Sequence, residues 1–137
     1  DAYNPERGRF ADLKTTRAIR GKHWSDKYEC YVSFVEAYDY ITQMAVYCEV
    51  ENLATGRDEW LEPLMVAVSK EEVPDKEVIR FDEMRLRAEL EIVKENLPRI
   101  LAVKYGQEEP VRCGKCRYCR ETKKLRGTVH YSELLYG

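Results

Sequence analysis

At 137 residues and 44% hydrophobic content, the chain holds enough apolar material for one core and too little for two independent ones. No apolar run approaches the ~20 residues needed to cross a bilayer, and Asp1-Ala2-Tyr3-Asn4-Pro5 has neither the basic start nor the apolar centre of a secretory signal, so a cytoplasmic protein is expected. The net charge of −2 hides a division: residues 112–126 carry seven basic residues against one acid, a net of +6, and the rest of the chain is at −8.

The first predicted element is a hairpin. In "NPERGR", Asn4 to Arg9, an early proline and a late glycine suit a turn with Gly8 at positive φ, flanked by "DAY" and "FADLKT". If residues 5 to 8 form the loop, Asn4 faces Arg9, and the antiparallel ladder sets Asp1 opposite Asp12, with Cβ atoms about 4.5–5.5 Å apart. Two opposed carboxylates repel unless a cation lies between them. The strand period of two puts Lys14 on the Asp12 face and is expected to turn Leu13 into the core. Hard oxygen ligands of this kind suit Mg²⁺ or Mn²⁺, and a neighbouring lysine can orient or help deprotonate an attacking water. Taken alone, D-x₁₀-D-x-K also fits a surface hairpin whose charges face water.

After a loop containing His23 and Trp24, which either touches nucleic acid or anchors the fold, comes "SFVEAYDYITQMAVYCEVENLATG". Ser33 with Glu36 makes a capping box, and Gly56 marks the end, so one long helix is expected. Phe34, Tyr38, Ile41, Ala45 and Cys48 share its apolar face; Gln43 and Tyr47 lie one turn apart on another face, in line with Glu36 and Tyr40. That second face is either the polar edge of a core helix or a glutamine and a phenol reaching towards the carboxylates. "LMVAVS" (64–69) and "EVIRF" (77–81) read as paired strands. "DEMRLRAELEIVKENLPRILAVKYG" reads as a helix capped by Asp82, kinked at Pro98, ending before Gly106, with Leu86, Leu90, Val93, Leu97 and Ile100 in the core.

The chain ends in a basic, cysteine-rich segment. Cys113, Cys116 and Cys119 in C-x₂-C-x₂-C can converge on one centre, and thiolates favour Zn²⁺ or an iron–sulfur cluster; Cys30, Cys48, His23 or His130 is a candidate fourth ligand, with Cys48 better explained as a packed thiol. Arg112, Lys115, Arg117, Arg120, Lys123, Lys124 and Arg126 suit phosphate contacts, and Tyr118 can stack on an exposed base. On charge alone the segment is equally a solvated basic tail.

The order Asp1, Asp12-x-Lys14, then Gln43-x₃-Tyr47, then the cysteine cluster resembles the PD-(D/E)xK nuclease superfamily in its RecB-like branch. "DLKTT", "YDYITQMAVY" and "RCGKCRYCRETKKL" are most similar to the phage and prophage RecE-like exonucleases related to exodeoxyribonuclease VIII, over nearly the whole chain. The resemblance implies an α/β restriction-endonuclease-like core, a central mixed sheet with flanking helices, in one nuclease domain over 1–137. It implies Asp1 and Asp12 as Mg²⁺ or Mn²⁺ ligands, Lys14 assisting the nucleophilic water, and Gln43 and Tyr47 orienting the site or contacting the DNA end. The product would be a metal-dependent exonuclease acting on duplex ends in recombination or end processing, with a homo-oligomer compatible. Some relatives bind a [4Fe–4S] cluster with one cysteine before the core and three after it. The family's upstream helix precedes Asp1, so a chain truncated at its N-terminus is expected. The rival reading is a catalytically silent DNA-binding module organised by a cysteine-bound metal or cluster.

Overall fold

The computed structural model describes residues 1–125 and 127–135, and it divides into two compact units, Asp1–Pro98 and Arg99–Gly137. The hairpin forms as its turn chemistry dictates. Strand β1 (Ala2–Asn4) and strand β2 (Arg9–Thr16) are antiparallel, with Asn4 opposite Arg9 and Ala2 opposite Ala11. The intervening turn of 3-10 helix, Pro5–Arg7, is capped by the Asn4 side chain and closed by Gly8 at φ 65°, where a side chain would be strained.

Residues 23–25 and 30–32 pair as a short hairpin, β3 (His23–Ser25) and β4 (Cys30–Val32), so the expected loop at His23 and Trp24 is a strand. Trp24 is exposed and does not anchor the core.

The expected single helix is two. The Ser33–Glu36 capping box starts α1 (Phe34–Ala37), Asp39 sits in the left-handed region at φ 54°, and α2 (Tyr40–Thr55) continues to a left-handed cap at Gly56. The break rotates Tyr38 out of the expected apolar face, leaving it 56% exposed, while Phe34, Ala45 and Cys48 stay buried and Met44 joins them.

Strand β5 (Glu62–Ser69) runs parallel to β2, Asp12 beside Met65 and Lys14 beside Ala67, and β6 (Lys76–Arg80) closes the sheet antiparallel to β5, giving the order β1-β2-β5-β6. Parallel neighbours need a crossover, and residues 17–61 supply it, with α2 as its main element. Helix α3 (Glu83–Lys104) follows, its first turn capped by the Asp82 carboxylate accepting from Met84 N–H (3.0 Å). Phe34, Met44, Ala45, Met65, Ala67, Leu86 and Leu90 make one core on one face of the sheet. Full burial of a side chain such as Met65 or Leu86 contributes about 1.5–3 kcal/mol.

Two expectations about the core fail. Leu13 is 54% exposed, because the helices cover the face of β2 that carries Asp12, Lys14 and Thr16, leaving Leu13 on the other face, in register with Val66 and thence Val78. Leu97 and Ile100 are also exposed, since the packing over Leu86 and Leu90 stops short of them. Pro98 lies inside α3, where the division between the two units falls.

In the C-terminal unit, α4 (Arg117–Glu121) is capped at its N-terminus by Cys116, and a 3-10 turn spans Tyr131–Leu135. No described helix is long and apolar enough to cross a membrane.

Candidate active site

The carboxylate of Asp12 is buried, an uncommon state for an acid at a strand centre. Its place follows from strand parity: β2 is held by β1 on one edge and β5 on the other, and both registers turn Asp12 and Lys14 to the helix side. The Lys14 ammonium lies 2.8 Å from Asp12 Oδ2, so this buried oxygen has charge compensation, and among the described residues it takes no further donor. Lys14 is also held over the Tyr40 ring, 5.1 Å from its centroid. An ion pair in place of a neutral core residue at this depth is costly to build unless further polar groups satisfy it.

Asp1 sits just beyond the last ladder pair and accepts from the Leu13 N–H through Oδ1 (3.2 Å), extending the hairpin by a side chain where the backbone ladder has ended. Asp1, Asp12 and Tyr47 line one cleft of about 270 Å³ together with Tyr3, Phe10 and Glu51. Gln43 stands one turn before Tyr47 and donates from its amide to the Tyr47 hydroxyl at 2.5 Å. The five candidate residues of the N-terminal unit are thereby linked: two acids and a phenol line the cleft, a lysine pairs with one acid, and a glutamine orients the phenol.

Three contributors went unforeseen. Glu51 lies four residues after Tyr47, so the line Gln43, Tyr47, Glu51 continues along α2 into the cleft; that i, i+4 repeat was the available signal. It accepts from the Tyr3 hydroxyl (2.6 Å) and pairs with Arg57 (3.0 Å), while its Oε2 is buried without a hydrogen-bond partner among the described residues. Burial alone would raise the Glu51 carboxyl, but the Tyr3 and Arg57 hydrogen bonds outweigh it and hold it below the usual range; the same contact raises the Tyr3 phenol. Phe10 meets the Tyr47 ring with centroids 6.5 Å apart.

The donor set in the cleft is oxygen-rich, and two of its buried carboxylate oxygens, on Asp12 and Glu51, lack hydrogen bonds, which fits a hard divalent cation.

In the C-terminal unit, Cys113, Cys116 and Cys119 bring their sulfur atoms within 4.8 Å of one another, Cys113 and Cys119 being 3.8 Å apart. Backbone N–H groups of Cys116 and Lys115 point at the Cys113 sulfur and, with the neighbouring thiols, bring it down to about 6; the same coupling raises Cys116 despite a backbone donor from Cys119. A ready thiolate among convergent sulfurs fits a soft metal centre. Of the candidate fourth ligands, His130 bonds Ser132 (2.8 Å), and Cys48 is a packed thiol that burial pushes up to about 12. Cys30 and His23 lie on β4 and β3 of the N-terminal unit.

Arg112 stacks over Tyr118 (5.3 Å) and bonds Thr122, and with Lys123 and Lys124 it lines a cavity of about 370 Å³. Arg117 pairs with Glu121, which neutralises part of its charge, and Lys115 and Arg120 are exposed. Arg126 lies outside the described residues.

Residues 1–122 match the family described as PDDEXK-like domain of unknown function (DUF3799). No curated protein matches the chain. Among solved structures, the crystal structure of a "putative exonuclease" from Eubacterium rectale is 34% identical, with a TM-score of 0.79 over 93% of this chain and 47% of that one. The chain therefore spans about half the length of that protein. With the family matched across nearly the whole sequence and the fold reproduced around a buried D-x-K strand, the chain belongs to the PDDEXK-like DUF3799 family, within the PD-(D/E)xK nuclease superfamily.

Proposed function

We propose that this chain carries the catalytic cleft of a divalent-metal-dependent deoxyribonuclease, an exonuclease of RecE-like type that hydrolyses phosphodiester bonds at DNA ends in recombination or end processing in the cytoplasm. The observation that carries the reading is the buried Asp12 carboxylate, ion-paired to Lys14 in a cleft shared with Asp1 and Tyr47. Asp1, Asp12 and the inner oxygen of Glu51 would hold Mg²⁺ or Mn²⁺ there. When bound, that ion supplies charge stabilisation to the scissile phosphate and makes water easier to deprotonate.

The chain's own side chains do the rest. Lys14, fixed between Asp12 and the Tyr40 face, keeps a cation beside the carboxylate, where it orients the attacking water and offsets charge on the phosphate oxygens. The Tyr47 hydroxyl, held by Gln43, is placed to hydrogen-bond a phosphate oxygen or the ligand shell of the metal. The basic segment Arg112, Lys115, Arg117, Arg120, Lys123 and Lys124, with Tyr118, binds the DNA backbone, and residues 1–137 act as a single nuclease domain in this scheme.

The test is cleavage of linear duplex DNA with Mg²⁺ and with Mn²⁺ by the chain, by Asp12→Asn and by Lys14→Ala. A loss of roughly a hundredfold or more in each variant is expected, with DNA binding retained, from the size of comparable electrostatic contributions. Unchanged cleavage in Asp12→Asn overturns the assignment.

The convergent thiols favour a second reading, a DNA-binding module organised by Zn²⁺ or a [4Fe–4S] cluster at Cys113, Cys116 and Cys119. Under that reading only changes between Cys113 and Arg126 alter DNA affinity, and the Asp12 and Lys14 variants behave as wild type.

A further inference from the structure

Residues two apart on a continuous helix point to different sides, yet the Tyr38 and Tyr40 rings lie only 5.9 Å apart. The left-handed Asp39 between them makes this possible: it ends α1, restarts the chain as α2, and brings the two rings together. A non-glycine residue in that conformation is costly and is commonly kept where function requires it. Asp39 makes no side-chain cap bond to α2; its carboxylate instead faces the Lys27 ammonium at 3.6 Å.

The aromatic contacts continue in both directions. Tyr40 is seated edge-on against buried Phe34 (6.2 Å) and carries the Lys14 ammonium on its ring, and Tyr38 meets the His23 ring at 5.5 Å. Tyr40, Tyr38 and His23 thus form a row starting at the candidate catalytic lysine and running outward, with Tyr38 more than half exposed at its centre. Lys22, next to His23 in sequence, is exposed and makes no ion pair among the described residues, and Lys14 supplies a cation at the inner end of the row.

We propose that this row is a stacking track for the unpaired bases of the DNA strand engaged at the Lys14 site, an extension of the proposed nuclease reading. The exposed Tyr38 ring takes any base, while Lys14 at the inner end of the row holds a phosphate of the same strand; this is the pattern of sequence-tolerant single-strand binding. The occupant is an extended single strand, because a paired base in a duplex has no free face to offer Tyr38.

The experiment is fluorescence anisotropy of a labelled single-stranded oligonucleotide, with EDTA present so that no cleavage is needed, against the chain, Tyr38→Ala, Tyr38→Phe and His23→Ala. Tyr38→Ala should weaken binding about tenfold, equivalent to 1.4 kcal/mol, with Tyr38→Phe within about twofold of wild type. His23→Ala should fall between them. A blunt duplex should lose much less than the single strand on Tyr38→Ala.

A second arm leaves the protein intact and replaces bases of the oligonucleotide one at a time by abasic sites; loss of affinity confined to two or three adjacent positions supports the track. Wild-type affinity in Tyr38→Ala, equal losses in Tyr38→Phe and Tyr38→Ala, or no effect of any abasic site overturns it. Cleavage by a chain whose oligonucleotide binding ignores Tyr38 removes the track alone. Tyr38-dependent binding by a chain that never cuts removes the nuclease reading and leaves the track.

Discussion

Replacing Glu89 by alanine tests how the N-terminal unit holds its peripheral hairpin. The carboxylate is 3% exposed on α3 and gathers donors from two other places, the Thr42 hydroxyl of α2 at 3.1 Å and, in the turn between β3 and β4, the Tyr28 hydroxyl at 3.3 Å and Lys27 at 3.2 Å, and on its own helix from Arg85 at 2.9 Å. Hydrogen bonds to an ionised acceptor contribute about 1.5 kcal/mol each at the low end. The two cations are nearly half exposed, so each ion pair is screened to about 0.5 kcal/mol.

Together these come to roughly 4 kcal/mol, offset by about 2 because alanine no longer has a carboxylate to desolvate. The net loss is about 2 kcal/mol. For a unit spanning Asp1–Pro98, unfolding entropy near 2.1 cal/mol/K per residue converts that to a fall in Tm of about 10 °C.

Circular dichroism melts at pH 7 give the number, and acidification gives the mechanism. Burial by itself would raise the Glu89 carboxyl, but Lys27, Thr42 and Arg85 outweigh it and hold it below the usual carboxylate range. A depressed folded value means the stabilisation is present above the ordinary carboxyl range and disappears as pH falls through the folded one. The difference in Tm between wild type and Glu89→Ala must therefore shrink on acidification. A variant melting within about 2 °C of wild type at pH 7, or a difference that grows in acid, refutes the reasoning.

Other outcomes follow from the remaining contacts. Cys48, fully buried and pushed up to about 12, should resist iodoacetamide at pH 8 in the native protein and react only at the rate of unfolding, as mass spectrometry of quenched samples will show. Tyr3→Phe deletes the bond that ties β1 to Glu51 and should raise the Mn²⁺ concentration for half-maximal cleavage several-fold while leaving the saturated rate near wild type. If about five basic side chains of 112–124 contact phosphates, log affinity for duplex DNA should fall with log salt at a slope near −4 to −5, measured by anisotropy. Cys113→Ser should abolish retention of Zn²⁺ or iron after purification, read by elemental analysis, whereas Cys30→Ser should leave it unchanged.

The hairpin was readable because its signals are local: proline and glycine at fixed offsets set the turn, the turn set the register, and the register set Asp12 and Lys14 on one face. Which face was covered was not readable, and Leu13 shows why. Apolar residues alternate with Asp12 and Lys14 on β2, so pattern alone favours burying Leu13; the deciding fact is the crossover that lays α2 against the charged side. The break at Asp39 was hidden for a related reason, since the capping box and the terminal glycine frame one uninterrupted periodic run and nothing in it forbids a helix. Glu89 escaped because its partners Lys27, Tyr28 and Thr42 are 47 or more residues away in sequence.

The hairpin distributes its two acids unequally. Asp12 belongs to a strand bonded along both edges, whereas Asp1 hangs from three ladder pairs on one edge, one side-chain bond to Leu13 and the Tyr3–Glu51 contact. Local opening draws on whichever segment is least secured, so β1 should fray at temperatures where the core of Met44, Met65 and Leu86 is still intact. On heating, the cleft would then come apart ahead of the fold, with function declining before any loss of helix signal. The same looseness gives the site an adjustable half: whatever presses β1 against α2 would tighten the cleft without rearranging the sheet beneath it.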